Sequence, residues 1–180
     1  SLRNKLEEHY RLFSMEIEDV QLSEDGTKKY LFRLSDGMAV EAVLIPSELI
    51  TDDGEPKRLT LCVSSQVGCQ LGCKFCATAS LKLKRNLTVA EIVDQYMLVQ
   101  QQSDKQITNM VFMGMGEPML NYDNVMKSID IFTHPDLKLI GARHITVSTA
   151  GVLPGIQRMA DENRPVKLAI SLHATTNALR

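Results

Sequence analysis

From residue 59 onward, strand-like and helix-like segments alternate, and no other feature constrains the fold as strongly. LTLCVSS is a short β-rich run beginning at residue 59, and TVAEIVDQYMLVQQQ has helical spacing. Thr88 opens that helix, with Glu91 three residues later, the signature of a capping box. ITNMVFMG reads as a second strand, and NYDNVMKSIDIFT as a second helix with Asn121 placed to cap it. HITVSTAG, LPGIQRMADE and VKLAISLHA add a third strand, a third helix and a fourth strand. Alternation of this kind predicts a parallel α/β sheet. Parallel strands place all their C-terminal loops on one rim, where functional groups collect in such folds.

The first part of the chain follows a different rule. Residues 2–12 carry apolar side chains at helical intervals and predict a short helix. MEIEDV, GTKKYLFRL and MAVEAVLIP then read as strands separated by Asp25-Gly26 and Asp36-Gly37, both strong hairpin signals. This predicts a small antiparallel meander ended by Pro46, with a polar connector, SELITDDGEPKR, behind it. The expected division is residues 1–58 as a β-rich extension and connector, and 59–180 as the start of a larger α/β domain. The last strand is almost wholly apolar, so the sheet is expected to continue beyond Arg180. The first residue is Ser1 rather than methionine, which fits an excised or processed piece.

Bulk composition narrows the class only slightly. The chain is 44% hydrophobic and 23% charged, with a net charge of −2, so any nucleic-acid contact must come from a local patch. No apolar run reaches the roughly 20 residues that span a bilayer, and no secretory leader is evident; a membrane partner is not expected and the expected location is cytoplasmic.

The four cysteines, Cys62, Cys69, Cys73 and Cys76, fall within one short stretch. Disulfides would need an oxidising compartment, and a four-cysteine zinc site usually has two pairs set well apart. The spacing Cys69-x3-Cys73-x2-Cys76 fits better with three thiolates on an iron–sulfur cubane, leaving one iron open to chelate a ligand and pass it an electron. Reductive cleavage of S-adenosylmethionine requires such an arrangement.

Each remaining strand end also carries an unusual loop. Gly114-Met115-Gly116-Glu117-Pro118 offers close backbone approach and a carboxylate suited to an ammonium group, or else a tight turn with a solvated glutamate. Ser148 and Ser171 can bond a ribose or a carboxylate, or simply cap strand ends, and His173 reads either way. The methionines at 110, 113, 115 and 119 are expected to be packing residues. Lys82, Lys84 and Arg85 form a modest basic patch that can meet phosphates or remain a solvated surface. Asn86-Leu87-Thr88 matches a glycosylation sequon, but its threonine is better placed as a helix cap.

Taken together, LCVSSQVGCQLGCKFCATASLKLKRNLTVAE, FMGMGEPMLNYDNV, ITVSTAGVLPGI, LAISLHATTNALR and VEAVLIP closely resemble the radical S-adenosylmethionine RNA methyltransferases of the RlmN/Cfr family. The resemblance implies a partial radical-SAM (β/α) barrel, about four of its parallel strands being present, preceded by the β meander. It implies that Cys69, Cys73 and Cys76 ligate a [4Fe–4S] cluster whose open iron binds S-adenosylmethionine. Gly116, Glu117, Ser148, Ser171, Leu172 and His173 match the family's cofactor contacts. Glu41 matches the proton acceptor on the adenine, and Cys62 the second cysteine that resolves a protein–RNA adduct through a disulfide. The implied reaction is methylation of adenosine carbon 2 in 23S rRNA and tRNA, by way of a methylated cysteine near the C-terminus. An electron-donor protein such as flavodoxin is the implied reductant. Cfr-type methylation of carbon 8, another radical enzyme, and a zinc-bound RNA-binding module remain the alternatives. With no residue beyond Arg180, the stretch as given is expected to lack turnover by itself.

Overall fold

In a computed structural model, residues 5, 10–54, 56–172 and 174–176 are described. The helix expected over 2–12 lies largely outside them, and residues 10–12 are not helical.

Three antiparallel strands come first: β1 (Met15–Leu22), β2 (Lys28–Leu34) and β3 (Ala39–Pro46). Their two turns form as the Asp-Gly pairs predict. Gly26 and Gly37 both take φ of 81°, which an L side chain rarely adopts, and Asp25 and Asp36 accept the backbone N–H two residues on.

β3 also pairs antiparallel with β4 (Leu59–Cys62), so the meander runs without a break into the second half of the sheet. There β4 is followed in space by β7 (Asn109–Phe112), β8 (Ile145–Thr149) and β9 (Lys167–Ile170), all parallel. The seven-stranded order is β1-β2-β3-β4-β7-β8-β9. Three helices fill the crossovers, α1 (Val89–Gln101), α2 (Tyr122–Phe132) and α3 (Leu153–Asp161). The sequence pattern therefore predicts the fold class and all four parallel strands.

Side-chain alternation gives the sheet two unlike faces. Leu44, Leu61, Met110, Phe112, Ile145 and Val147 are buried and join one core with Ile92, Tyr96 and Val99 of α1 and Val125, Ile129 and Phe132 of α2. The Tyr96 and Phe132 rings meet in a tilted pair 5.6 Å apart at the α1–α2 contact. The opposite face carries Val43, Cys62, Val111 and Thr146, all only partly buried.

α1 begins as predicted. Thr88 Oγ1 accepts the Glu91 N–H while the Glu91 carboxylate accepts the Thr88 N–H. α2 differs: Asn121 occupies the capping position, but its side chain makes no capping bond. Its amide donates instead to the carbonyls of Ser65 and Leu87, both at 2.8 Å. Its Oδ1, the atom that would cap the helix, accepts from Asn124 Nδ2 at 2.8 Å. Met110, Met115 and Met119 are core residues as expected, whereas Met113 lies 52% exposed on the open face.

Candidate functional site

The cysteine loop is built on a clamp that the sequence pattern does not reveal. After β4 the chain makes a two-residue ladder, β5 (Gln66–Val67) with β6 (Arg85–Asn86), which closes the loop of residues 68–84 at its base. Gly68 takes φ of +75°, and a Cβ there would sit 1.8 Å from the Lys82 carbonyl oxygen. Only glycine lets the two arms close so tightly. Inside the loop, Cys76 N–H donates to Cys73 O, and a 3-10 turn over Ala77–Leu81 follows.

The three loop cysteines are free and partly or fully exposed. The Cys69 thiol is pushed up, first by burial and further by the negative charges of Cys73, Glu117 and Cys76. A bound cation or iron–sulfur cluster would favour the Cys69 thiolate. Among the described residues, no three His, Cys, Asp or Glu side chains converge on a point where one ion would sit. A cubane does not need such convergence, because each thiolate takes its own iron. The donor set thus fits a [4Fe–4S] cluster. The four-cysteine zinc arrangement finds no such counterpart, since Cys62 sits apart, on β4.

All four cysteines are unpaired, so the disulfide expectation finds no support among them. Cys62 is partly buried and lies beside the Met113 N–H; burial pushes its thiol above the usual range, outweighing that hydrogen bond.

The glycine loop after β7 packs tightly against Ser64, Ser65 and Gln66. Gly114 N–H donates to Val63 O, Met115 N–H to Ser64 Oγ, and Met115 O accepts from the N–H groups of Ser65 and Gln66. A Cβ on Gly114 would meet Ser64 Oγ at 2.8 Å, and one on Gly116 would meet Gln66 Cβ at 2.5 Å. These glycines therefore make room for the protein's own Val63–Gln66 segment, both its backbone and the Ser64 and Gln66 side chains.

Glu117 is 3% exposed rather than solvated. Its Oε1 accepts the Met119 N–H at 3.1 Å and its Oε2 the Ala150 N–H at 2.9 Å, joining the rims of β7 and β8. Ser148, on β8, and Ser171, just past the end of β9, place their hydroxyls 3.4 Å apart. Leu172 is 53% exposed just beyond them, and His173 lies outside the described residues.

Glu41 lies two residues from Val43, whose register partner is Cys62. Cys62 in turn pairs with Val111, Val111 with Thr146, and Ser148 follows two residues later. Registered neighbours share a face, so Glu41, Cys62 and Ser148 all point to the open face of the sheet. The half-exposed Glu41 carboxylate is 3.2 Å from the Lys29 ammonium.

Several supporting residues are not apparent from sequence reasoning. Ser64 is fully buried; its hydroxyl donates to Glu41 O at 2.6 Å while accepting from Met115 N. Gln95 bonds the Ser64 backbone in both directions. A glutamine within the apolar stripe Ile92, Tyr96, Val99 was the available signal. Arg85 is fully engaged: its guanidinium forks onto Glu91 with two 2.8 Å bonds and reaches Asp36 at 2.7 Å. The basic patch therefore reduces to Lys82 and Lys84.

Comparison with known proteins bears on the family and the fold. The profile of the Radical SAM superfamily matches residues 63–180. A dual-specificity RNA methyltransferase RlmN of Geobacter sulfurreducens is 50% identical over 99% of this chain and 47% of its own length. One of the same name from Syntrophobacter fumaroxidans is 50% identical over 99% of this chain and 50% of its own length. The crystal structure of a radical SAM methyltransferase from Sphaerobacter thermophilus superposes with a TM-score of 0.86 at 42% identity, covering 99% of this chain and 51% of that one. The chain spans about half the length of the curated relatives it matches.

Proposed function

Because the chain belongs to the radical SAM superfamily, we propose that it forms the cluster-binding half of an RNA methyltransferase acting on carbon 2 of adenosine in 23S rRNA and tRNA. When bound, the cluster and S-adenosylmethionine supply the one-electron chemistry that activates a methyl group, which a ring carbon without nucleophilic character requires. Cys69, Cys73 and Cys76 would hold the cluster. Gly116, Glu117, Ser148, Ser171, Leu172 and His173 would hold S-adenosylmethionine.

One observation favours this reading over another radical enzyme: Glu41 and Cys62 share the open face with Ser148. A carboxylate and a thiol on that face suit a reaction that must remove a ring proton and then free the product from a protein adduct. Glu41 is reachable as a base, and Lys29 holds its carboxylate in place. Cys62 would supply the resolving thiol. Lys82 and Lys84 beside the cysteine loop offer phosphate contacts. The names of the curated relatives support an RNA substrate, and an electron-donor protein of the flavodoxin type would reduce the cluster.

The test is an anaerobic assay of the full-length protein carrying these residues, with reductant, S-adenosylmethionine and either 23S rRNA or tRNA. The expected product is 2-methyladenosine. Recovery of 8-methyladenosine would overturn the carbon 2 assignment, and methylation of neither RNA would overturn the RNA substrate.

A further inference from the structure

We propose that Gln66 is a positioning residue that sets the cysteine loop at a fixed offset from Glu117. This rests on the reading of Gly116 and Glu117 as cofactor contacts. Gln66 stands three residues before Cys69, in the ladder that closes the loop, and is 1% exposed. Its Oε1 accepts the Glu117 N–H at 2.8 Å, and its Nε2 donates to Asn86 Oδ1, on the returning arm of the loop, at 2.7 Å. One side-chain amide thus ties both arms of the cysteine loop to the glutamate loop.

A second observation points the same way. Gly116 is the residue against which the Gln66 side chain packs, and a Cβ there would approach Gln66 Cβ to 2.5 Å and Gln66 Cγ to 2.7 Å. Gly116 also has φ of +100°, so both the space and the backbone conformation call for glycine. Glu117 then carries the tie onward to Ala150 on the β8 rim. A ligand held at one end by the thiolate-bound metal and at the other by the Gly116-Glu117 loop would sense any change in their separation. A shift of about 1 Å is enough to matter in such a site.

The experiment compares Gln66→Met, Asn86→Leu and Asn86→Asp with the wild-type chain after anaerobic reconstitution with iron and sulfide. Iron content, thermal midpoint, affinity for S-adenosylmethionine and the change it causes in the reduced cluster's electron paramagnetic resonance signal are measured. Gln66→Met and Asn86→Leu each remove two hydrogen bonds and are expected to retain iron while binding S-adenosylmethionine about tenfold or more weakly, since bonds to buried groups are lost in each. Asn86→Asp still accepts from Gln66 and is expected to bind within about twofold of wild type. Wild-type affinity in both Gln66→Met and Asn86→Leu would overturn the positioning role. Parallel loss of iron, thermal midpoint and affinity would also overturn it, making Gln66 a structural residue only. If wild type takes up iron but fails to bind S-adenosylmethionine, the cofactor reading falls and this inference with it.

Discussion

The Gln95 side chain gives Ser64 the two hydrogen bonds that an adjacent strand would otherwise supply: Ser64 N–H to Oε1 at 2.8 Å and Nε2 to Ser64 O at 3.0 Å. Both residues are fully buried. A third bond, from Nε2 to the Glu91 carbonyl at 3.2 Å, holds the amide on its own helix. The pairing lets β4 end and the chain turn toward the cysteine loop without leaving buried backbone groups unmet.

Replacing Gln95 with leucine would keep the apolar stripe of α1 but strand the Ser64 N–H and C=O. The expected cost is about 3 kcal/mol, measured by urea unfolding of the 180-residue chain, because unsatisfied buried groups each cost about 1–3 kcal/mol. A change within about 0.5 kcal/mol would show that the backbone finds other partners.

Gly68 and Gly72 test the clamp against simple backbone strain. Both have positive φ, so alanine at either costs about 1–2 kcal/mol from conformation alone. At Gly72 nothing lies within 4 Å of the new Cβ, whereas at Gly68 the Lys82 carbonyl blocks it. Gly72→Ala should reconstitute iron normally, and Gly68→Ala should lose most of it. Equal iron uptake by the two variants would remove the clamp from the account.

Acid stability should depend on Glu91. Burial tends to raise its pKa, but the hydrogen bonds from Arg85 and Thr88 outweigh it, and the net shift is below 4.5. A carboxyl depressed in the folded state adds stability that is present above pH 4.5 and is lost as pH falls through its lower folded value. Stability measured from pH 6 to pH 3 should therefore fall less steeply in Glu91→Gln than in the wild-type chain. Identical slopes would contradict the assignment.

The Cys62 thiol should be slow to react near neutrality. Burial raises its pKa above 9.0, so little thiolate exists at pH 7. In a chain with Cys69, Cys73 and Cys76 replaced by serine, the rate of alkylation should still be climbing above pH 9. A plateau reached by pH 8 would show an activated thiol instead.

The strand and helix order was legible because it rests on periodicity, and the Asp-Gly turns because few other dipeptides accept their backbone angles. Thr88 and Glu91 form the capping box because both partners are local in sequence. Asn121 departs from its expected role because the carbonyls of Ser65 and Leu87, from distant parts of the chain, orient its amide, and Asn124 donates to its Oδ1. Arg85 likewise appeared as a free surface charge until Asp36, from the meander, was brought beside it. Gln66 and Ser64 remained unread for the same reason: a buried polar side chain acquires its purpose from partners that only the fold supplies.

The central claim is that Cys69, Cys73 and Cys76, and not Cys62, hold an iron–sulfur cluster. Iron and acid-labile sulfide should be measured after anaerobic reconstitution of the wild-type chain and of each single cysteine-to-alanine variant. The account predicts about four irons per wild-type chain, as a cubane requires, their retention in Cys62→Ala and their loss in each of the other three. Loss of iron in Cys62→Ala, or its survival in all three loop variants, would contradict it.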